Sequence, residues 1–173
     1  MLRVIVATFR SVAFVGLCVV IATPVSAASL VASWDGTNLT LAPKPTRVFL
    51  QLDERTSPAG LANRAKTHRF TLVLGGLAAD PDPETGYLVF LNLDEKAKSS
   101  TDDEGYVGAI NFFGMPPTAA EPSRLVSFEI SPTLVRLEEI GRLSGPISVT
   151  FVPTGRPAEG SRASVAKIDI YEN

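Results

Sequence analysis

The sequence predicts an all-β fold, an antiparallel β-sandwich of about seven strands with one short helix, preceded by a signal peptide. Two observations favour this fold class. Apolar and polar residues alternate over short segments, which is the period of a half-buried strand. Turns rich in proline, glycine and charged residues separate these segments at spacings of roughly 10 to 20 residues. Strands and helices do not alternate, as they would around a parallel sheet.

The first 27 residues have the three parts of a secretory signal. Arg3 and Arg10 supply positive charge, residues 11–23 are mostly apolar, and the VSA triplet ending at Ala27 has the small residues that a signal peptidase requires. The apolar stretch is short for a membrane span, which needs about 20 residues, so an uncleaved anchor is the weaker alternative. We expect cleavage after Ala27 and export to the periplasm or the exterior.

Charge and cysteine content limit the function of the exported part. The chain of 173 residues has a net charge of −2, and loss of Arg3 and Arg10 with the signal makes the remainder more acidic. Nucleic-acid binding calls for a clustered basic face, which the sequence lacks. The one cysteine, Cys18, lies within the signal. The exported chain would therefore have no disulfide and would depend on packing for its stability.

Residues 28–45 are predicted to be a lead-in segment, and residues 46–173 are predicted to form the sandwich domain. Seven segments within that domain have strand character; they are residues 47–53, 68–77, 87–93, 106–113, 124–130, 146–153 and 162–172. Where they alternate, the predicted buried side chains are Val48, Leu50, Leu52, Phe70, Leu72, Leu74, Val126, Phe128, Ile130, Ile147, Val149, Phe151, Ala166, Ile168 and Ile170, with Lys167 and Asp169 facing outward. Residues 87–93 are almost continuously apolar, which indicates a central strand.

The connections between these strands include one predicted helix. Ser131 can cap its N-terminus, Pro132 suits the first turn, Leu134 and Leu137 share a face, and Gly141 can end it. Residues 54–67 are polar and contain proline and glycine, so we expect a loop there.

Several short motifs follow one another in a fixed order. They are LTLAPKPTRVFLQLD at 39–53, FTLVLGGLAAD at 70–80, YLVFLNL at 87–93, a Phe-Gly pair at 113–114, ISPTL at 130–134, a Val-Pro pair at 152–153 and IDIY at 168–171. In this order and spacing, the chain resembles the C-terminal β-sandwich domain of tyrosinases and polyphenol oxidases, here standing alone without the dicopper catalytic domain.

The resemblance implies an accessory role. In that family the sandwich packs against a helical dicopper domain, shields its active site and sometimes places a bulky side chain at the substrate position. A type 3 copper site needs several imidazoles around each metal, whereas this chain has one histidine, His68. We therefore expect no catalytic residues, no metal and no cofactor. The expected partner is a separately encoded type 3 copper oxidase, contacted through protein–protein interactions.

Four residues are candidates for that contact. Phe112, Phe113 and Met115 precede two prolines at a predicted strand end, and Tyr106 begins the same strand. An apolar side chain left exposed there would anchor a partner. The alternative, which the usual burial of large apolar residues favours, is that both phenylalanines fill the core of the sandwich.

Other polar groups carry weaker functional hypotheses. His68 is a metal ligand or general base in one interpretation and a strand-edge residue in the other, which we favour. Asp80, Asp82 and Glu84 alternate in a turn that lacks the glycine placement of a calcium loop. Two further functions stay open: a secreted module that binds a glycan or phenolic ligand, and, least favoured, a hydrolase or independent metalloenzyme. The first requires a concave face with exposed aromatic residues.

Overall fold

The computed structural model describes residues 27–94, 99–118 and 124–173. The predicted signal sequence, apart from Ala27, and Cys18 lie outside these ranges. The described residues form strands β1 Ser29–Ser33, β2 Leu39–Leu41, β3 Thr46–Phe49, β4 Gln51–Leu52, β5 Phe70–Gly75, β6 Ala78–Ala79, β7 Tyr87–Leu91, β8 Tyr106–Ile110, β9 Leu125–Glu129, β10 Ser148–Pro153, β11 Ala163–Val165 and β12 Lys167–Glu172, and helices α1 Pro58–Arg64 and α2 Ser131–Glu139. Neither helix has the length and apolar character needed to cross a membrane.

The strands form three sheets in which every pairing is antiparallel. Their orders are β4-β1-β12-β5-β9, β3-β10-β7-β8 and β2-β11-β6. The all-β, sandwich-like class predicted from the sequence is thus confirmed. The central pairing of the five-stranded sheet runs from Lys167 opposite Gly75 to Glu172 opposite Phe70.

One hydrophobic core receives side chains from both large sheets and both helices. The inward faces predicted from alternation are correct for β5, β10 and β12, whose apolar side chains at Phe70, Leu72, Leu74, Val149, Phe151, Ile168 and Ile170 are fully buried, as is Ile147 directly before β10. Ala166, predicted to be buried, is only half-buried because it lies between β11 and β12. Thr150 and Ser148 are buried as well, so β10 is covered on both faces.

The strand count exceeds the predicted seven for two reasons: β1, β2 and β6 lie outside the predicted segments, and two predicted segments divide between sheets. Residues 47–53 become β3, which pairs with β10, and β4, which pairs with β1. At the crossing point the Leu50 N–H donates to the Ile147 carbonyl at 2.9 Å. Residues 162–172 become β11 and β12 in the same way. The alternation of apolar residues is unchanged when a strand passes from one sheet to the next, so it does not show the break.

Residues 28–45 are part of the sandwich rather than a segment that leads into it. β1 lies between β4 and β12, with a bulge between Leu30 and Ala32, and β2 pairs with β11. Val31 and Ala32 are buried in the core. The segment SLVAS is too short and too irregular to show the alternation of a strand. Its strand conformation depends on pairing with the neighbouring strands.

The loop predicted at residues 54–67 contains α1. Ser57 Oγ accepts the Gly60 N–H at 3.1 Å, Pro58 occupies the first turn, and Leu61 and Ala62 are fully buried. The predicted helix is present as α2, with Leu134 and Leu137 buried and Gly141 at a positive φ of 73° just beyond its end. Ser131 does not cap α2, however. Its hydroxyl accepts the Phe70 N–H at 2.8 Å and so joins α2 to β5.

Candidate partner-binding site at the Phe113 turn

A tight turn follows the end of β8 and places one aromatic ring in solvent. The Met115 N–H donates to the Phe112 carbonyl at 3.0 Å, which closes a turn over residues 112–115. Gly114, the third residue of this turn, has a φ of +67°, a region that glycine adopts without steric cost. Phe113 therefore stands at the corner of a turn that a backbone hydrogen bond closes.

The two adjacent phenylalanines have opposite environments. Phe112 is 1% exposed, and its ring meets the Tyr87 ring edge-on with centroids 5.8 Å apart. Phe113 is 88% exposed, the highest value among the large hydrophobic residues described. The prediction that Phe112 contacts a partner is thus wrong for its side chain, because Phe112 fills the core. The alternative that both rings fill the core is wrong for Phe113.

The other two predicted contact residues are both half-buried, and Tyr106 lies at the end of β8 opposite the turn. Met115 is half-buried against the core, and the next carbonyl, that of Pro116, accepts the Ala79 N–H at 2.9 Å. Tyr106 is half-buried, with its ring centroid 5.6 Å from that of Phe90. Of the four residues predicted from the sequence, Phe113 alone offers most of its side chain to a partner.

The turn that carries Asp80, Asp82 and Glu84, here called the acidic turn, lies beside Phe113. A cleft of about 310 Å³ separates them, and its walls include Asp82, Glu84, Thr85, Asn111 and Phe113. The sequence contains both groups but gives no sign that they meet, because 29 positions separate Glu84 from Phe113. Their proximity arises from the pairing of β7 with β8, in which Tyr87 lies opposite Ile110.

Hydrogen bonds hold the acidic turn in place. Asp82 Oδ1 accepts the Glu84 N–H at 2.8 Å, and Glu84 has a φ of +55°. The Pro83 carbonyl accepts the Ala158 N–H at 2.9 Å. Asp80 is 3.6 Å from Arg162 in an ion pair. Within the described ranges, no group of three or more histidine, cysteine or acidic residues is arranged to hold a metal.

His68 lies at a second cavity, of about 540 Å³, between the end of α1 and the start of α2. Its Nδ1 is 3.0 Å from Thr67 Oγ1 and 3.9 Å from Glu172 Oε1. The basic residues Arg69 and Arg136 on the same wall form ion pairs with Glu129 and Glu104. Because its side chain is half exposed and its neighbours are already paired, His68 has the surroundings of a surface residue.

The outer face of the five-stranded sheet carries a buried carboxylate that the sequence analysis missed. Asp169 faces outward as predicted, yet its side chain is 1% exposed. Lys167 Nζ lies 2.6 Å from Asp169 Oδ2, and the Tyr171 hydroxyl donates to the same oxygen at 3.0 Å. Lys167 Nζ also donates to the Tyr171 hydroxyl at 3.4 Å, and the two hydrogen bonds that Lys167 donates, to Asp169 first and to Tyr171 second, raise the pKa of Lys167. The three side chains share a mostly apolar cavity of about 500 Å³ with Val73 and Leu125.

Residues 20–173 match the family model described as a domain of unknown function, DUF7868. The chain belongs to this family. A comparison with curated protein sequences finds no match for this DUF7868 domain.

Among solved structures, the DUF7868 domain is similar to recombinantly expressed latent aurone synthase, a polyphenol oxidase. The TM-score is 0.50 with 15% sequence identity over 79% of this chain and 25% of that chain. Latent apple tyrosinase aligns with 82% of this chain and 27% of its own, at a TM-score of 0.44 and 17% identity. The chain thus spans about a quarter of the length of either protein. The likeness to aurone synthase confirms the expected resemblance as one of fold.

Proposed function

We propose that this DUF7868 domain is a non-catalytic, exported accessory domain that binds and shields a separately encoded type 3 copper oxidase. The observation that carries the proposal is the side chain of Phe113, which is held in solvent by a closed turn on a fold shared with part of a polyphenol oxidase. A large aromatic side chain exposed at a rigid position is typical of an anchor that enters a pocket on a partner.

The chemistry of the chain supports the non-catalytic part of the proposal. With His68 as its one histidine, the sequence cannot supply the set of imidazoles that a type 3 copper pair requires. In the described structure the polar side-chain contacts of His68 are with Thr67 and Glu172, and neither a serine nor a cysteine is among them. The chain therefore depends on a partner for any oxidase chemistry.

Capture from the native exported fraction tests this proposal. The purified chain and a Phe113→Ser variant are immobilised side by side, and each eluate is assayed for copper and for catechol oxidation. We expect the unmodified chain to retain a copper-containing, catechol-oxidising protein and the variant to lose it. Phe49→Ser is the matched control, because Phe49 is another exposed phenylalanine but lies on strand β3.

A shielding role also predicts that the domain inhibits the captured oxidase. Adding the unmodified chain in excess lowers the catechol oxidation rate, and adding the Phe113→Ser variant does not. Capture without copper or oxidase activity would contradict the accessory role, and equal capture by all three proteins would contradict Phe113 as its anchor.

A second candidate function is favoured by the cavity above Asp169, which is mostly apolar and carries Tyr171 at its wall. A cavity of this kind suits a small aromatic ligand with hydroxyl groups. Saturable binding of catechol in this cavity, with no oxidase captured, would support a ligand-binding module in place of the accessory role.

A further inference from the structure

We propose that the cleft between Phe113 and the acidic turn takes an arginine side chain of the partner protein. This inference rests on the proposed function and adds the chemistry of the contact. The inference uses three of the residues that line this cleft: the acidic residues Asp82 and Glu84 and the exposed aromatic residue Phe113.

The charge of the cleft is unbalanced. No lysine or arginine lies among its described lining residues. Neither Asp82 nor Glu84 forms an ion pair with any residue in the part of the chain that the structure describes, whereas Asp80, on the same turn, is paired with Arg162. A cationic group from outside would therefore meet two carboxylates that have no internal counter-charge.

Hydrogen bonds within this chain hold both the Phe113 turn and the acidic turn in the absence of a partner. The Phe113 turn is closed by the Met115 N–H, and the acidic turn by the hydrogen bond from the Glu84 N–H to Asp82. The Thr154 N–H donates to the Gly86 carbonyl at 2.9 Å and fixes the end of the acidic turn against β10. A preformed cleft loses little conformational entropy on binding, so few contacts are enough.

Arginine suits a cleft lined by two carboxylates and an aromatic ring better than other cations do. Its planar guanidinium stacks on an aromatic ring and donates to carboxylates as a fork, and its aliphatic stem covers apolar surface. Lysine offers a compact charge without the planar face. A divalent metal needs more oxygen ligands than Asp82 and Glu84 supply, and Asp80 is engaged with Arg162.

Amide NMR spectra of the full chain test the cleft without the partner. The probe is Nα-acetylarginine methylamide, and its neutral isostere Nα-acetylcitrulline methylamide is the reference ligand. We expect saturable shifts at Asp82, Glu84 and Phe113 with a dissociation constant of roughly millimolar order for the arginine probe, and none for citrulline. Equal shifts with both probes, or none with either, would overturn the inference, as would calcium ions binding there in preference to the arginine probe.

Charge-neutral variants give the matched comparison. The double variant Asp82→Asn with Glu84→Gln keeps a side-chain oxygen at position 82 to accept the N–H of residue 84, so the turn stays folded. We expect it to weaken arginine-probe binding about tenfold or more. Glu138→Gln with Glu139→Gln removes the same charge from the exposed end of α2 and leaves binding unchanged. An equal loss in both double variants would show that net charge, and not the cleft, attracts the probe.

Capture of the oxidase separates this inference from the function on which it rests. If Phe113→Ser abolishes capture but Asp82→Asn with Glu84→Gln leaves it intact, the accessory role stands and the arginine contact is wrong. If the arginine probe binds as expected and no oxidase is captured, the cleft is an arginine site and the accessory role is wrong.

Discussion

At the scale of single residues, the neighbours Phe112 and Phe113 differ in burial. The same side chain occupies both positions, yet one ring packs edge-on against Tyr87 and the other is almost wholly in solvent. Alternation of side-chain direction along an extended backbone, followed by the Gly114 turn, is enough to produce the difference. Burial, and not residue type, decides what each ring contributes.

Alanine substitutions at these two positions are expected to separate stability from binding. Phe112→Ala removes a fully buried ring and is expected to lower the free energy of unfolding by about 3 to 4 kcal/mol. Phe113→Ala removes almost no buried surface and is expected to change it by less than about 0.5 kcal/mol. Urea unfolding followed by circular dichroism measures both. Equal destabilisation by the two substitutions would show that Phe113 also packs in the core.

The ionisation of Tyr87 makes the stability of the fold depend on pH in the alkaline range. Burial raises the pKa of the Tyr87 phenol above its ordinary value of 10.0. The folded protein therefore holds this proton more tightly than the unfolded chain. The resulting stability is fully present below pH 10 and is lost as the pH rises through the pKa of the folded state.

Replacing Tyr87 with phenylalanine tests this linkage. The Tyr87 hydroxyl makes no hydrogen bond with the residues described, so Tyr87→Phe is expected to unfold like the unmodified protein at neutral pH. Near pH 11, about one unit above the ordinary tyrosine pKa, the variant is expected to retain more of its stability. Urea titrations at both pH values measure the difference. An identical alkaline loss in the two proteins would assign the effect to other groups, among them Lys167, whose pKa is also raised.

At the scale of elements, the two large sheets approach each other closely at one pair of edge strands. β8 is the edge of the four-stranded sheet and β9 the edge of the five-stranded sheet. A Cβ placed on Gly108 of β8 would lie 2.5 Å from Cε1 of Phe128 on β9, which is too close for two carbon atoms. The absence of a side chain at Gly108 therefore lets Phe128 close this side of the sandwich.

Gly108→Ala is expected to destabilise the fold by about 1 to 3 kcal/mol, because the Phe128 ring must move to admit the methyl group. Gly145→Ala is the matched control, since a Cβ there meets nothing within 4 Å. Differential scanning calorimetry of both variants measures the effect. A melting temperature for Gly108→Ala equal to that of Gly145→Ala would mean that β8 and β9 separate without cost.

At the scale of the whole molecule, the N-terminal segment completes the sandwich. β1 lies within the five-stranded sheet, between β4 and β12, and buries Val31 and Ala32 in the core. Removal of β1 would leave the backbone groups of β12 unpaired along one edge and expose the apolar residues beneath. The boundary expected at residue 46 is therefore not a boundary of the folded unit.

Two truncations test this conclusion. A chain that begins at Ala28 is expected to fold with dispersed amide NMR signals and a cooperative unfolding transition. A chain that begins at Ala42 lacks β1 and β2 and is expected to lose both properties, because it cannot cover β12 or pair β11. Cooperative unfolding of the shorter chain at the same urea midpoint would show that residues 28–45 are a lead-in segment that the fold does not need.

Sequence reasoning captured the features that depend on local periodicity. The apolar residues Phe70, Leu72 and Leu74 of β5 alternate strictly because successive side chains in a strand point to opposite faces, and all are buried as predicted. The motif Ser57-Pro58 also carried a helix signal for α1, but the polar composition of residues 54–67 concealed it. The burial of Leu61 and Ala62, which stabilises α1, depends on partners distant in the chain.

The all-β class, the inward faces of the long strands and the presence of an aromatic pair before a turn all follow from the order of the amino acids. Three features required the folded chain: where strands change sheets, that Phe113 rather than Phe112 is exposed, and that Asp82 and Glu84 line one cleft with Phe113. The physical reason is the distance along the chain over which each feature is determined. Periodicity records which side of a strand is buried, whereas the neighbours of a side chain are set by strand pairing between segments far apart in the chain.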